Sequence, residues 1–371
     1  MYKMMTPGPT MVAENVRMAR SLQVGNPDLD LDFFDFYKET CELYSELLHT
    51  KNESLILSGE GILGLEAAIV SLTESGDRVL VLDNGVFGKG FADFVDMYGG
   101  KSVLYSTDYK RAIDVAQLRS YLEQDSDFKY ATVVHCDTPS GMLNDVSQIC
   151  PLLKEFGIMT VVDSVSGMFG NPINVDHDQI DILCGGSQKA ISAPIGLTLI
   201  TISEDAKQAM EQRKTKIPAF YSNLMIFKDY YEKKWFPYSM PISDIYGLRQ
   251  ALENLKADPD HLERHHEIAK ATREAIVRAG LSLYAENGYS DTVTVFSVPG
   301  SVKAQDILTI MKKEHNIMLA GSFDVMAGTV IRIGHMGENC TKENMIETLD
   351  ALEKTLEELG VTLKEKLEFL M

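Results

Sequence analysis

Lys189 is the first residue of the sequence whose surroundings suggest chemistry. It stands in DILCGGSQKAISAPIG, where a short apolar run and two glycines precede it and mostly small or apolar residues follow. Removing an ammonium group from water lowers its pKa, and the neutral amine can then form an imine with a carbonyl compound. A lysine in a loop is more often a solvated surface residue, so this interpretation needs support from the rest of the chain.

Asp163 provides part of that support. It ends the apolar run MTVVD, upstream of Lys189. A buried carboxylate requires a cationic partner, and the ring nitrogen of a pyridine-type cofactor is one such partner. A ring kept protonated in this way can accept the electrons that remain when a substrate Cα–H bond breaks. The alternative is that Asp163 caps a helix.

A glycine-rich turn, SGEGILGLEAA at residues 58–68, leads directly into a predicted helix. The free backbone N–H groups at the start of a helix, with the helix dipole behind them, form an anion site suited to a phosphate. The turn matches neither the GxGxxG fingerprint nor a GK[ST] P-loop. This argues against a dinucleotide or a nucleoside triphosphate as the ligand.

Three further side chains have both a chemical and a structural interpretation. Phe87, in LDNGVFGKG, could lie flat on a heterocyclic ring or pack in the core. Thr138, in HCDTPSG, could donate its hydroxyl to a phenolate-type oxygen or occupy an ordinary turn before a proline. Arg332 interrupts the apolar strand TVIRIG and requires an anion, either a substrate carboxylate or an internal acidic residue.

A mostly parallel sheet is the element expected to position these residues. From about residue 55 to 203, short apolar runs alternate with longer amphipathic ones, which is typical of βαβ units. The predicted strands are 78–83, 102–106, 132–137, 159–163, 180–184 and 197–203. Open α/β sheets bind ligands beyond the carboxyl ends of their strands. Asp83, Asp137, Asp163 and a turn at 185–187 are therefore expected to converge on one crevice.

The pattern changes beyond Pro241. A long, charged helical region is predicted up to about Ala279, followed by a strand at 292–299. The last helix is predicted to begin near Thr341 and to end at Gly360, with apolar residues at three-to-four spacing. These elements indicate a second, smaller domain.

Composition excludes several classes of partner. The formal net charge of −19 leaves no basic stripe for nucleic acid or an anionic membrane. No stretch approaches the length of an apolar membrane span, and the first twenty residues contain no apolar signal region, so a cytoplasmic location is expected. The five cysteines form no CxxC pair and no Cys/His cluster, so we expect reduced thiols and no metal site.

The motifs occur in an order that resembles the class V aminotransferases, fold type I enzymes that depend on pyridoxal 5′-phosphate (PLP) and include the alanine–glyoxylate and serine–pyruvate kinds. The segment TPGPT at residues 6–10 is similar to the opening of that family. The resemblance implies a large α/β domain, in which a mostly parallel sheet of the seven-stranded type lies between helices, and a smaller C-terminal α/β domain. The implied bounds are 1–20 for an N-terminal active-site segment, 21–248 for the PLP-binding domain and 249–371 for the small domain.

The resemblance also implies how the cofactor is held. Lys189 would carry PLP as a Schiff base, Asp163 would pair with the pyridine nitrogen, and Phe87 would stack on the ring. The residues implied to contact the cofactor are Gly59, Glu60, Gly61, Ile62, Phe87, Thr138, Asp163, Val165, Gln188 and Lys189.

Substrate binding and assembly follow from the same resemblance. Arg332, with the backbone around Gly8, would bind the substrate carboxylate. Because members of the family are homodimers with shared active sites, Phe236 and Ser239 are expected to reach the phosphate site of the neighbouring subunit and to complete its cofactor contacts.

Three positions depart from the usual family pattern. Glu60 stands where a small hydroxyl residue is common, and since a carboxylate is repelled by a phosphate dianion, its side chain is expected to turn away. Phe236 replaces a frequent tyrosine and removes one phosphate hydrogen bond. The segment at 23–30 lacks a basic residue often found there, which bears on the choice of substrate.

The function expected is a ping-pong transamination between a small amino acid, such as alanine or serine, and a small 2-oxo acid, such as glyoxylate or pyruvate. Rival interpretations are a PLP-dependent lyase of the cysteine desulfurase type, an aminophosphonate–pyruvate aminotransferase, a PLP-binding sensor and a nicotinamide dehydrogenase. Desulfurases usually have a histidine before the lysine and a loop cysteine before the C-terminal arginine, whereas this chain has Gln188 and AGSFDVMAGTVIR. His265 and His266 are interpreted as solvated helix residues.

Overall fold

A computed structural model describes residues 2–370. Its helices are α1 Glu14–Arg20, α2 Leu31–Leu47, α3 Gly61–Leu72, α4 Val86–Met97, α5 Val115–Leu122, α6 Val146–Glu155, α7 Glu204–Glu211, α8 Ile242–Lys256, α9 His261–Arg278, α10 Ala304–Glu314 and α11 Lys342–Glu358. Its strands are β1 Lys3–Met4, β2 Glu53–Ser58, β3 Arg78–Asp83, β4 Lys101–Ser106, β5 Tyr130–Val134, β6 Cys136–Asp137, β7 Met142–Leu143, β8 Met159–Asp163, β9 Ile182–Gly186, β10 Leu197–Ile202, β11 Val293–Ser297, β12 Ile317–Met318 and β13 Val330–Gly334.

A seven-stranded sheet in the order β2-β10-β9-β8-β5-β3-β4 forms the centre of the protein. Strand β10 runs antiparallel to both of its neighbours, and all the other pairings are parallel. Its inner strands are buried along their whole length, as expected for a sheet covered by helices on both faces. The predicted fold class, a mostly parallel α/β sheet with a smaller second unit, is confirmed.

The predicted strands correspond closely to strands of this sheet. Segments 78–83 and 159–163 coincide with β3 and β8, while the segments predicted for β4 and β10 each differ by one residue at one end. The segment 132–137 divides at His135, after which β6 pairs with β7 instead of continuing in the sheet. Strand β2 is not among the predicted strands. Gly185 and Gly186, predicted to lie in a turn, belong to β9 because they pair with β10.

A second hydrophobic core lies outside the sheet. It is formed by residues of α9, α10, α11, β11 and β13, together with Met5 from the N-terminal segment. Helix α8, in contrast, packs its apolar residues, including Leu252 and Leu255, into the core of the large sheet. The predicted division at residue 248 falls within α8, and the domain bounds stay a prediction.

The helical region after Pro241 consists of two helices. Helix α8 ends at Lys256 and α9 begins at His261, so the predicted continuous region is interrupted by ADPD at 257–260. Pro259 cannot donate a backbone hydrogen bond and its ring obstructs a helix interior, which accounts for the break. The last helix, α11, begins after Thr341, whose hydroxyl accepts a hydrogen bond from the Asn344 N–H.

The N-terminal segment contacts both cores. Strand β1 pairs in parallel with β12, and the Gly334 N–H donates to the Met5 carbonyl at 2.8 Å. Further along, the Thr10 N–H donates to the Gln188 carbonyl at 3.1 Å. The segment therefore runs from the second core to the turn that carries Lys189.

No helix within residues 2–370 is long and apolar enough to cross a membrane. The five cysteines all lie in this range, and each is a buried free thiol.

Candidate active site

Lys189 lies in the turn that follows β9, at the carboxyl edge of the sheet. Its side chain is half-buried and its ammonium donates a hydrogen bond to the Pro7 carbonyl at 2.6 Å. Burial lowers the pKa of Lys189 to about 8, the nearby Cys136 opposes that shift, and the charge of Arg332 adds to it. An amine with this pKa is partly neutral near physiological pH, so it can act both as a nucleophile and as a proton carrier.

Asp163 lies at the end of β8, the strand next to β9, and is 6% exposed. Its Oδ1 accepts a hydrogen bond from the Val165 N–H at 2.9 Å, and a turn follows it, so it does not cap a helix. Burial raises the pKa of Asp163 to about 7, while the Val165 N–H and the charge of Lys189 oppose the shift. A cationic group placed beside this carboxyl would restore its charged form.

The glycine-rich turn lies between β2 and α3 and is attached to the same edge. The Gly59 N–H donates to the Gly196 carbonyl at 2.8 Å, and the Thr198 hydroxyl donates to the Glu60 carbonyl at 2.6 Å. A Cβ atom on Gly61 would lie 2.8 Å from the Val165 side chain, so the start of α3 packs closely on the turn after Asp163.

Glu60 does not turn its side chain away from the helix, contrary to the expectation. Its Oε1 accepts a hydrogen bond from the Ile62 N–H at 3.1 Å, and its Oε2 accepts one from Gln188 Nε2 at 3.2 Å. A carboxylate is favourable at this position because it satisfies a free N–H group and interacts with the positive end of the helix dipole. The expectation considered only repulsion from a phosphate and neglected this capping interaction.

Asp137 connects the start of α4, which carries Phe87, to the turn that carries Thr138. The Phe87 N–H, in the first turn of α4, donates to Asp137 Oδ1 at 3.1 Å, and Ser140 Oγ donates to Asp137 Oδ2 at 2.7 Å. Thr138, directly after Asp137, is buried. The Phe87 ring is half-buried and makes an edge contact with Phe323, with the ring centres 5.9 Å apart.

Arg332 extends from β13 of the second core towards this edge. Its Nε donates to the Gly321 carbonyl at 2.6 Å, and its guanidinium carbon lies 5.7 Å from the centre of the Phe323 ring. Burial lowers the pKa of Arg332 to about 10, and the charge of Asp137 opposes the shift. With Nε occupied by a backbone carbonyl, the two terminal nitrogens are directed by a fixed stem and suit a bidentate carboxylate.

Gly8 brings the N-terminal segment against Lys189. Its φ of +89° lies in the left-handed region, and a Cβ atom there would overlap the Lys189 side chain. The Thr10 hydroxyl donates to the Lys189 carbonyl at 3.2 Å and lies 3.1 Å from Ser192 Oγ. Thr10 is a residue that the sequence reasoning did not assign, although TPGPT contains it.

Phe236 is buried, whereas Ser239 is exposed. Phe236 is 4% exposed, and its ring stacks on Phe34 with a centroid distance of 4.5 Å and an interplanar angle of 7°. Ser239 Oγ donates to Asp28 Oδ2 at 2.6 Å. Phe236 therefore packs in the protein's own aromatic core, and the expected contact of Phe236 and Ser239 with a neighbouring subunit stays a prediction.

The position of His265 does not agree with its interpretation as a solvated helix residue. It is buried, 1% exposed, with Nδ1 2.6 Å from the His261 carbonyl, and its Nε2 accepts a hydrogen bond from the Gly337 N–H at 2.9 Å. Burial lowers the pKa of His265 to about 4. His266, the next residue, is more exposed and lies 3.0 Å from Asp291.

The predicted cluster fits a pyridoxal ring at the end formed by Lys189 and Asp163. At the end expected to hold the phosphate, a protein side chain already occupies part of the site. Lys189, Asp163 and Phe87 supply an amine, a buried acid in need of a cation and a half-buried aromatic face, which are the groups such a ring requires. The N–H groups of α3 would suit a phosphate. Glu60 occupies one of them and would have to move for a phosphate to bind there.

Comparison with known proteins agrees with this fit. The family model described as aminotransferase class-V matches residues 14–354. An uncharacterized aminotransferase of Methanocaldococcus jannaschii is 34% identical over 98% of this chain and 94% of its own. A pyridoxamine–pyruvate transaminase of Mesorhizobium japonicum is 30% identical over 88% of this chain and 84% of its own.

A solved alanine–glyoxylate aminotransferase from Nostoc sp. superposes with a TM-score of 0.92 at 28% identity, covering 96% of this chain and 95% of that one. The resemblance in sequence and fold thus extends over nearly all of the chain. The chain belongs to the class-V aminotransferases and is an enzyme of that family, with pyridoxal 5′-phosphate as its cofactor.

Proposed function

We propose that the enzyme transfers the amino group of a small amino acid, of the alanine or serine type, to a small 2-oxo acid such as glyoxylate or pyruvate, in two half-reactions. The observation that carries this proposal is the pairing of a buried Lys189 amine, with a pKa of about 8, with a buried Asp163 carboxyl at one sheet edge. Pyruvate and glyoxylate occur in the names of similar proteins. PLP supplies the aldehyde that takes up the amino group and the ring that accepts electrons.

Lys189 has two tasks in this proposal. Its neutral amine would hold the cofactor between turnovers. Once displaced by the substrate amine, it would take the substrate Cα proton and deliver it to C4′, the cofactor carbon on the other side of the nitrogen. The nearby positive charge of Arg332 and the removal from water both favour the neutral form. Asp163 keeps the ring nitrogen protonated, because a buried carboxylate and a cationic ring stabilise each other.

Arg332 holds the substrate carboxylate, and the backbone around Gly8 lies beside the reacting lysine. The Nε hydrogen bond to Gly321 fixes the plane of the guanidinium, so the carboxylate is held in one orientation. Phe87 would stack on the ring, Thr138 would donate to its phenolic oxygen, and Val165 would contact the ring. The backbone of 59–62 and the Gln188 amide would contact the phosphate end.

A lyase of the cysteine desulfurase type is the second candidate reaction, since solved desulfurases have this fold. Two features oppose it. Gln188 stands where desulfurases usually carry histidine, and no cysteine occurs between Leu319 and Arg332. The thiol of Cys136, which interacts electrostatically with Lys189, is buried, and burial raises its pKa to about 11, so it is a poor nucleophile.

We also propose that the enzyme is a cytoplasmic homodimer. Four large apolar side chains are 49–56% exposed: Ile62 in the first turn of α3, Ile195 just before β10, and Phe220 and Tyr221, whose ring centres lie 6.1 Å apart. Exposed apolar side chains on an enzyme with a net charge of −19 suit a second copy of the chain better than open solvent.

The test is a spectrum of the purified, PLP-loaded enzyme titrated with single amino acids. Alanine or serine is expected to convert the yellow absorbance of the bound cofactor to that of the pyridoxamine form, and pyruvate or glyoxylate should restore it. Release of sulfide from cysteine, with no such conversion by any amino acid, would favour the lyase. Borohydride treatment of the loaded enzyme should attach the pyridoxyl group to Lys189, and its attachment elsewhere would contradict the assignment.

A further inference from the structure

The N-terminus of α3 already carries a negative charge from the protein itself. The Glu60 carboxylate accepts the Ile62 N–H and so uses one of the donors that would otherwise be available to a bound anion. A serine at this position would cap the helix equally well without adding a charge. The choice of glutamate therefore affects which group can bind at this end of the site.

Gln188 gives a second, independent indication of the ligand. Its Nε2 donates to Glu60 Oε2 at 3.2 Å, while its Oε1 has no hydrogen-bond partner among residues 2–370. The residue is 7% exposed, and leaving a buried carbonyl oxygen unpaired is unfavourable. Rotation of the amide would place Oε1 against the Glu60 carboxylate, where two acceptors would repel each other. Glu60 therefore fixes the Gln188 amide with its nitrogen towards the carboxylate.

The two side chains at this end, Glu60 and Gln188, therefore both present hydrogen-bond acceptors to a ligand. A phosphate brings about −1.5 to −2 charges, so Glu60 repels it. Its oxygens are acceptors, so it supplies no donor to Gln188 Oε1. A hydroxyl group brings a donor, which either acceptor can use. Phe236, buried in its own aromatic cluster, offers no hydroxyl to compensate a phosphate.

We propose that this site also accepts unphosphorylated pyridoxal and pyridoxamine, with Glu60 and Gln188 receiving the 5′-hydroxyl, and that free pyridoxamine is a further amino donor for the enzyme. The proposal rests on the proposed function, because it requires the same Lys189 amine. PLP binds at the same place when the Glu60 carboxylate leaves the Ile62 N–H. The two ligands thus differ in whether Glu60 stays on the helix or is displaced.

The additional reaction balances without another reactant. The amine of pyridoxamine replaces the ketone oxygen of a 2-oxo acid, and water leaves. Lys189 takes a proton from the C4′ carbon and delivers it to the Cα carbon, so that the C=N double bond shifts towards C4′. Addition of water across that bond releases the amino acid and leaves pyridoxal as the aldehyde, which the Lys189 amine can then hold.

The experiment measures equilibrium binding to the cofactor-free enzyme. Pyridoxal and PLP are titrated separately and followed by the absorbance of the lysine-bound form, and borohydride reduction with peptide mass analysis identifies which of the two is attached at Lys189. We expect the wild-type dissociation constant for pyridoxal to lie within about tenfold of that for PLP. We expect Glu60→Ser, which keeps a helix cap, to shift the ratio of the two constants towards PLP by at least about tenfold.

Asp114→Ser is the matched control. Asp114 caps α5 through its carboxylate, accepting the Ala116 and Gln117 N–H groups, so its substitution by serine removes the same charge and likewise keeps a helix cap. It should leave the ratio unchanged. The wild-type enzyme should also form pyridoxal from pyridoxamine and pyruvate, and Glu60→Ser should do so less efficiently.

The outcomes separate this proposal from the previous one. If neither ligand attaches to Lys189, the proposed function fails and this inference with it. If PLP attaches but pyridoxal does not, only this inference is overturned. An equal change of both constants in Glu60→Ser would also overturn it, because Glu60 would then not discriminate between the two ligands.

Discussion

Lys189 and Asp163 are shifted towards their neutral forms by the same physical cause, removal from water. The pKa of the lysine falls to about 8 and that of the aspartic acid rises to about 7, so near neutral pH a large share of Asp163 and a smaller share of Lys189 are uncharged. A cofactor ring with a protonated nitrogen changes this balance, because it provides Asp163 with a cation. The charge state of the pair therefore depends on whether the cofactor is bound.

The pH dependence of cofactor attachment follows from the lysine. Only the neutral amine adds to an aldehyde, so the rate at which PLP attaches to the cofactor-free enzyme should rise by about tenfold per pH unit below pH 8 and level off above it. Stopped-flow absorbance measures this rate. A profile that still rises at pH 10, as for an ordinary solvated lysine, would contradict the assignment, and Lys189→Ala should show no such absorbance at any pH.

Asp163→Asn should separate stability from activity. Above pH 7 the folded enzyme without cofactor carries a buried charge that asparagine lacks, so the free energy of unfolding should rise by roughly 1–3 kcal/mol. That gain should shrink from pH 7 to about pH 4, where the carboxyl is protonated in both states. The activity of the PLP-loaded variant should fall by about 100-fold or more. Urea titrations at pH 5 and 8, with activity assays, test both statements.

At the scale of elements, the site is an assembly of turns from different parts of the fold. The end of β8 carries Asp163 and the turn after β9 carries Lys189. The turn before α3 carries Glu60, and β13 carries Arg332. Parallel strands bring their carboxyl ends to one edge, which explains why residues far apart in the chain meet there. The N-terminal segment then closes over the lysine through Pro7, Gly8 and Thr10.

Gly8→Ala tests that closing segment. The added methyl group overlaps the Lys189 side chain, so PLP attachment should slow by about tenfold or more, in addition to a stability loss of about 1–2 kcal/mol from the left-handed backbone. Gly76→Ala is the control, because Gly76 has a φ of +90° but nothing within 4 Å of the added atom. It should lose similar stability and keep the wild-type attachment rate. Equal slowing in both variants would contradict a specific contact with Lys189.

At the scale of the whole molecule, the sequence predicts the sheet and its catalytic edge better than the surfaces between elements. Asp163 and Lys189 could be found because each follows a buried apolar run, and that pattern is local. The position of His265 could not, since a charged helix with adjacent histidines does not reveal which of them faces the core. Phe236 was assigned by resemblance alone, and its burial depends on Phe34 and on other aromatic residues far away in the chain.

The orientation of the Glu60 side chain could not be predicted from the sequence either. Its charge and position were read correctly from the sequence, but the orientation of its side chain depends on the Ile62 N–H and the Gln188 amide together. Two weak interactions from separate elements hold the Glu60 carboxylate at the start of α3. Only the assembled fold brings both partners within reach.

The proposed dimer gives a prediction for the whole molecule. The subunit mass is 41.3 kDa, and sedimentation should show a species of about twice that mass. Phe220→Asp should shift the population towards the single subunit, since it places a charge among the exposed apolar side chains that would form the interface. Val277→Asp, on α9, is the control with nearly equal exposure, 54% against 56% for Phe220. Dissociation by both variants, or by neither, would argue against this surface.

The pairing of β1 with β12 also has a consequence for how the protein is made. Lys3 and Met4 leave the ribosome long before Ile317 and Met318, their partners, have been synthesised. Contacts between residues so far apart form late, because most of the chain must be present first. The turn that carries Lys189 can therefore be complete, with its strands paired, before the strand that anchors the covering segment has been synthesised.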